Sequence, residues 1–281
     1  MMIRLSAPKT RGMRFAFPLM ISLPVVLAGC AVSTAQEVDM GNGYATQIAQ
    51  QMPLIKDAEL TAYITKLGGS LSKLVDTRNL SWHFSIVDSK EVNAFAVPGG
   101  WIYVNRGLIE RAQNMSQVAG VLGHEIGHVT KRHSVQQMQK AQGASVGVGL
   151  TCILTKVCES ETAAGLINVG GSAIFAQFSQ GDESQADEQG VRTVILAHID
   201  PRGIPEMFRI LLDERKTSPT AVDAFFATHP LEESRIAATN AEIARHAPAE
   251  LAGAVRDTPD FQAFKRRLMA QPPSPAPKKA P

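Results

Sequence analysis

A chain of 281 residues with 44% hydrophobic and 19% charged side chains and a formal net charge of +2 has enough apolar content for one core-bearing domain plus tails. This excludes an intrinsically disordered protein. Setting aside Arg4, Lys9, Arg11 and Arg14, which precede residue 30 with no acidic residue among them, turns the small basic excess slightly acidic. No phosphate-binding surface follows from such a balance, and nucleic acid is excluded as a partner.

The basic stretch 1–14 leads into an apolar run, Phe15 to Ala28. About 14 residues interrupted by proline suit the apolar region of a secretory signal better than a membrane span. The run ends in Leu27-Ala28-Gly29-Cys30, which resembles the bacterial lipobox. That resemblance implies a signal peptide over 1–29, lipidation of Cys30 and anchoring to a membrane facing the periplasm. Ala31 after the cysteine, rather than aspartate, directs the expectation to the outer membrane. Residues 30–44 are expected to form a lipidated tether, since 31–40 are small and polar. In that oxidising compartment Cys152 and Cys158, close in sequence, are a candidate disulfide.

From Asp57 onward Leu60, Ile64, Leu67, Leu71 and Leu74 recur every three or four residues, the spacing of an amphipathic helix. Trp82, Phe84 and Ile86 alternate with His83 and Ser85, as in a half-buried strand. Two more short strands are expected at 94–97 and 101–104, joined by the turn Pro98-Gly99-Gly100. After Gly107 the chain reads as mostly helical. The Gly- and Ala-rich segment 141–181 is expected to be a mobile hairpin over a site. Residues 247–271 are expected to be a helical extension, and the Pro-rich 272–281 a disordered tail.

The chemistry concentrates in Gly123-His124-Glu125-Ile126-Gly127-His128, an H-E-x-x-H sequence. Asn114 and Gln117 offer a capping box ahead of it, and Val118, Val121, Leu122 and Val129 an apolar flank. Residues four apart share a helix face, so both imidazoles can reach one zinc ion, with Glu125 placed to deprotonate water. A third histidine ligand ten residues after His124 is absent, because that position is Ser134. His133 falls on the opposite side of an ideal helix and reads as a solvated side chain. Glu159, Glu161, Glu183 and Glu188 are carboxylate candidates for the third ligand. Only Glu183 is followed one turn on by a second acid, Asp187, which could accept a hydrogen bond from a ligand imidazole.

Several runs together carry a family resemblance: Asn93-Ala94-Phe95-Ala96-Val97-Pro98-Gly99-Gly100, Ile102-Tyr103-Val104, Gly107-Leu108-Ile109, the H-E-x-x-H helix, Glu183-x-x-x-Asp187, and Thr228-His229-Pro230 with Arg235. The chain resembles the HtpX/CAAX-prenyl-protease family of zinc metallopeptidases (peptidase family M48), and within it the small periplasmic lipoprotein branch. One departure is Gln180-Gly181-Asp182, where relatives often carry arginine before the third ligand. With few residues after 246, the large tetratricopeptide extension of other relatives is not expected.

The resemblance implies an α+β fold, a mainly helical gluzincin-type domain over 45–246 with a small β-sheet beside the H-E-x-x-H helix. It implies one Zn2+ per chain on His124, His128 and Glu183, with Glu125, His229 and Arg235 in catalysis. The last two would face the zinc and stabilise an oxyanion. Asn93, Ala94 and Phe95 would be an edge strand that pairs with extended substrate. The expected function is a zinc metalloendopeptidase acting on unfolded or misassembled envelope proteins. Two alternatives stand beside it: a non-proteolytic, chaperone-like assembly factor, and a latent protease gated by His229 as a fourth zinc ligand.

Overall fold

The computed structural model describes residues 32–140 and 177–275. Cys30, Cys152, Cys158, Glu159 and Glu161 therefore lie outside the described residues, as do 141–176 of the expected hairpin and 276–281 of the expected tail.

Where a tether was expected, Thr34–Gln51 is helix α1. It starts at Ser33, whose hydroxyl accepts from the Gln36 amide at 3.2 Å while the Gln36 side chain accepts from the Ser33 amide at 2.8 Å. This reciprocal cap satisfies two otherwise orphaned donors. Glu37, Gly41, Ala45 and Ile48 recur along one buried face. The small residues serve close approach here, not flexibility. A Cβ on Gly41 would stand 2.0 Å from the Pro98 carbonyl oxygen.

Asp57 caps helix α2 (Ala58–Ser72), accepting from the amides of Glu59 and Leu60 at 3.1 Å. Leu60, Ile64, Leu67 and Leu71 are buried, whereas Leu74 lies past the helix end and is exposed. Strands β1 (His83–Val87), β2 (Ala94–Val97) and β3 (Trp101–Asn105) form one sheet in the order β1-β3-β2. β1 runs parallel to β3 with Phe84 opposite Ile102, and β2 runs antiparallel with Ala96 opposite Ile102. Gly99 and Gly100 take φ of +81° and +100° in the connecting turn, a conformation that side chains disfavour.

Helix α3 (Arg106–Arg111) leads to α4 (Met115–Thr130), and residues 133–140 form α5. α6 (Gln180–Leu196), α7 (Gly203–Thr217), α8 (Pro219–Thr228), α9 (Glu233–Ile243), α10 (Pro248–Leu251) and α11 (Pro259–Met269) follow. α4 is the centre of the core. Every residue from Met115 to Val129 is buried, so the helix has no solvent face at all, in place of the one apolar flank expected. It packs most extensively on α6. Their backbones touch through small residues: a Cβ on Gly127 would stand 3.0 Å from the Ala186 Cα, and one on Gly190 3.2 Å from the His124 amide nitrogen. The expected hairpin ends in this helix, since Gln180 and Gly181 are its first residues.

α11 stacks Phe264 on Tyr63 of α2, with ring centroids 4.3 Å apart. Beyond it, the described part of the Pro-rich tail is held against the body: the Pro272 carbonyl accepts from Arg106 at 2.6 Å, and the Ser274 hydroxyl donates to Asp88 at 2.7 Å.

A buried carboxylate ties α1 to the end of α4. Glu37 is 1% exposed and receives Arg78 at 2.6 Å and Arg132 at 2.7 Å on one oxygen, and the Gly99 amide at 3.4 Å on the other. Arg78 also donates to the Val129 carbonyl at 2.8 Å, which the Arg132 amide shares at 3.0 Å at the C-terminus of α4. Removing one partner of a fully buried ion pair costs about 3–5 kcal/mol. Both guanidiniums keep some contact with water, so Glu37→Ala is expected to destabilise by roughly 2–4 kcal/mol, read from urea unfolding midpoints. A change below half a kilocalorie would show that the clamp is energetically idle.

Candidate functional site

Asn114 opens α4, its side chain accepting from the Gln117 amide at 3.2 Å. The Gln117 side chain returns to the amide of Gln113 at 2.7 Å instead of Asn114, so the expected box closes one residue early. Two turns on, His124 and His128 project from the same face into the core, with their Nε2 atoms 3.0 Å apart. α6 faces them, as the small-residue contact dictates, and brings Glu183. One Glu183 oxygen lies 3.3 Å from His128 Nε2, and the other 3.7 Å from His124 Nε2. His229, at the C-cap of α8, closes the group with Nδ1 3.0 Å from Glu183 and 3.4 Å from His124 Nε2. One ligand atom from each of these four buried residues falls within 4.8 Å of the others. Glu188, another sequence candidate, points to solvent.

Asp187, one turn along α6, accepts from His124 Nδ1 at 2.9 Å. Arg235 on α9, given an oxyanion role by the resemblance, is bonded in the structure to the two acids of α6. Its Nε and Nη2 donate to the two oxygens of Asp187 at 2.9 and 2.7 Å, and its Nη1 to Glu183 and to the Pro230 carbonyl. A guanidinium fork matched to carboxylates in this way has four of its five donors committed. It holds the acids in place from behind.

Glu125 lies beside the cluster, its Oε1 3.7 Å from His229 Nε2. Both of its oxygens are buried and lack a hydrogen-bond partner among the described residues. Burial pushes its carboxyl up, against the pull of His229 and His124. Burial would also raise Glu183, but the imidazoles of His229, His128 and His124 hold it below the ordinary carboxylate range. For His128 burial dominates and holds it well below the usual imidazole value. For His229 the carboxylates of Glu183 and Glu125 outweigh burial and raise it. The site therefore keeps two carboxyls in one pocket with opposed proton affinities.

β2 is the edge of the sheet and contacts α4. Ala94 and Ala96 join the main core on the α4 side, whereas Phe95 stacks on Tyr103 at 5.0 Å in a separate apolar cluster with Ile48 of α1. Asn93 gives its carbonyl to the Asn105 amide at 2.9 Å, while its buried side-chain oxygen has no partner among the described residues.

Two site residues escaped the sequence reading. Phe178 lays its ring on His128, centroids 3.9 Å apart, and its amide donates to the Thr228 carbonyl at 2.9 Å. Nothing in the local sequence marks it. His133, expected in solvent, is 1% exposed and packs under His128. The ideal-helix projection fails because α4 stops at Thr130 and Arg132 takes φ +62°, which redirects α5 back toward the cluster.

The sequence model described as Peptidase family M48 matches residues 57–243. Over 248 residues the chain is 32% identical to the "Beta-barrel assembly-enhancing protease" of Escherichia coli (strain K12), covering 86% of this chain and 50% of that protein. It is 34% identical to the protein of the same name from Yersinia pestis over 215 residues, covering 74% and 44%. To "Metalloprotease LoiP" of Escherichia coli (strain K12) it is 28% identical over 181 residues, covering 64% and 69%. The chain thus spans about half the length of the assembly-enhancing proteases.

Proposed function

The chain belongs to peptidase family M48, and on that premise we propose that it is a zinc metalloendopeptidase cleaving extended segments of unfolded or misassembled bacterial envelope proteins. The observation that carries this reading is the buried convergence of His124, His128 and Glu183 beside a Glu125 whose oxygens meet no full hydrogen bond among the described residues. Two imidazole nitrogens and a carboxylate aimed at one point fit a divalent cation of zinc's ligand preference. A buried, unpartnered carboxyl fits a group that handles protons in the reaction and not a structural one.

A zinc ion on His124, His128 and Glu183 would polarise a peptide carbonyl and acidify water. Glu125 takes the proton of the attacking water and passes it to the leaving amine, and its burial-raised basicity suits both transfers. Arg235 and Asp187 keep Glu183 and His124 oriented. The edge strand at Asn93, Ala94 and Phe95 pairs with substrate main chain, so recognition favours extended polypeptide over folded domains. The names of the assembly-enhancing relatives support outer-membrane β-barrel proteins as clients. The direct test is zinc stoichiometry together with cleavage of an unfolded protein. One zinc per chain and chelator-sensitive cleavage are expected, and a metal-free, inactive protein overturns the reading in favour of a non-proteolytic assembly factor.

A lipid on Cys30 anchors the protein to the outer membrane, facing the periplasm. The support is the sequence Leu27-Ala28-Gly29-Cys30 behind a basic, apolar leader. Cys30→Ser is expected to release the protein from salt-washed membranes, and an unchanged distribution on fractionation counts against the anchor.

His229 supports two roles of opposite sign. Raised in proton affinity and 3.7 Å from Glu125, it can donate to the developing oxyanion. Within 3.4 Å of His124 Nε2 and part of the four-donor group, it can instead occupy a metal position and hold the enzyme latent. The first role predicts that His229→Ala lowers turnover of an unfolded substrate by about 10²–10³-fold at equal zinc occupancy. We expect that fall. A rise above wild type identifies the gate.

A further inference from the structure

We propose that His133 is a positioning residue of the metal centre: it accepts a hydrogen bond from the Nδ1–H of His128 and so fixes that imidazole in the tautomer whose Nε2, beside Glu183, carries no proton. The inference rests on the reading of His128 as a metal ligand.

A neutral imidazole that ligates through Nε2 carries its proton on Nδ1. For His124 the acceptor is plain, since Asp187 lies 2.9 Å from its Nδ1. His128 is 1% exposed, so its Nδ1 proton cannot turn to bulk water and needs a protein acceptor. His133 Nδ1 stands 3.0 Å from it. To accept, His133 must hold its own proton on Nε2. That atom faces Gln185 Oε1 at 3.4 Å, with Asp182 Oδ1 at 3.9 Å. Donor and acceptor therefore alternate consistently along His128, His133 and Gln185.

Both relays end on α6, the helix that carries Glu183. Asp187 holds His124 from the buried face of α6, and the exposed Gln185, through His133, holds His128 from its flank. The Phe178 ring covers His128 and lies 6.2 Å from the His133 ring, which keeps competing water away. Hydrogen bonds are electrostatically stronger in such an environment.

Zinc dissociation constants from chelator competition on the full chain test this. His133→Leu removes the acceptor while keeping bulk, and is expected to weaken zinc binding about 10–100-fold, as loss of an orienting partner does. His133→Asn sets its side-chain oxygen where Nδ1 stood and is expected to restore most of that affinity. Wild-type affinity in His133→Leu, or equal loss in both variants, overturns the proposal. If His133→Leu does not fold, zinc-loaded wild type supplies the second readout. A solvent-protected ring N–H resonance from His128 Nδ1 is expected, and its absence overturns the proposal without any variant. His128→Ala separates the premises. If it retains wild-type zinc affinity, the ligand reading itself fails. If it loses zinc while His133→Leu does not, only the role of His133 fails.

Discussion

Glu125→Gln is expected to cut proteolysis of an unfolded substrate by about 10²–10⁴-fold, the usual worth of a general base, while zinc content and fold persist. The amide keeps the shape of the carboxylate but cannot take a proton. Neither Glu125 oxygen meets full hydrogen-bond geometry with a partner among the described residues, and the Ala96 amide exerts only the last and smallest of the pulls on its carboxyl, so the substitution breaks no strong hydrogen bond. Burial works against the charged form, whereas the pull of His229 and His124 favours it, and a buried amide brings donors of its own that need partners. The metal-free variant should therefore melt close to wild type. Turnover, zinc stoichiometry and a melting curve on one preparation decide the matter. Cleavage at near wild-type rate would remove Glu125 from the mechanism, and a lowered melting point would mean that its carboxylate has a structural partner.

Glu183→Ala should produce the largest loss of metal. Zinc bound to a protein site is worth about 10–16 kcal/mol, so one ligand of three carries on the order of 3–5 kcal/mol, roughly 10²–10⁴ in affinity. Asp187→Ala should cost only about 10–100-fold, because it acts on zinc through the orientation of His124. The pair is a controlled comparison. Arg235 spans both acids, so each variant leaves that guanidinium with one carboxylate, and the difference between them isolates direct ligation. Glu188→Ala, exposed on the same helix, should change neither affinity nor stability. Metal titration of the three variants gives the order, and equal losses in Glu183→Ala and Asp187→Ala would show that Glu183, like Asp187, only supports other ligands.

The features legible in the sequence are those set by the geometry of a single element. Leu60, Ile64, Leu67 and Leu71 repeat at the pitch of a helix and are buried along one side of α2. The alternation through Phe84 and Ile86 gives β1, and the four-residue spacing of His124 and His128 puts two imidazoles on one face before any fold is known. Asp187 beneath His124 was visible in the same way, from one-turn spacing to Glu183.

What depends on where elements meet was decided only by tertiary structure. Small residues are ambiguous in a sequence, since they suit both a loose tether and a close backbone contact. Gly41, Gly127 and Gly190 serve the second, seating α1 on the sheet turn and α6 on α4. Arg235 taken by itself is a charge on a helix surface and gains a role only through the family resemblance, whereas the fold brings the carboxylates of α6 within reach of its fork. His133 was misplaced because a helical projection assumes that the helix continues. A left-handed residue at Arg132 ends that assumption, and the imidazole turns inward beneath His128, where burial obliges it to find partners.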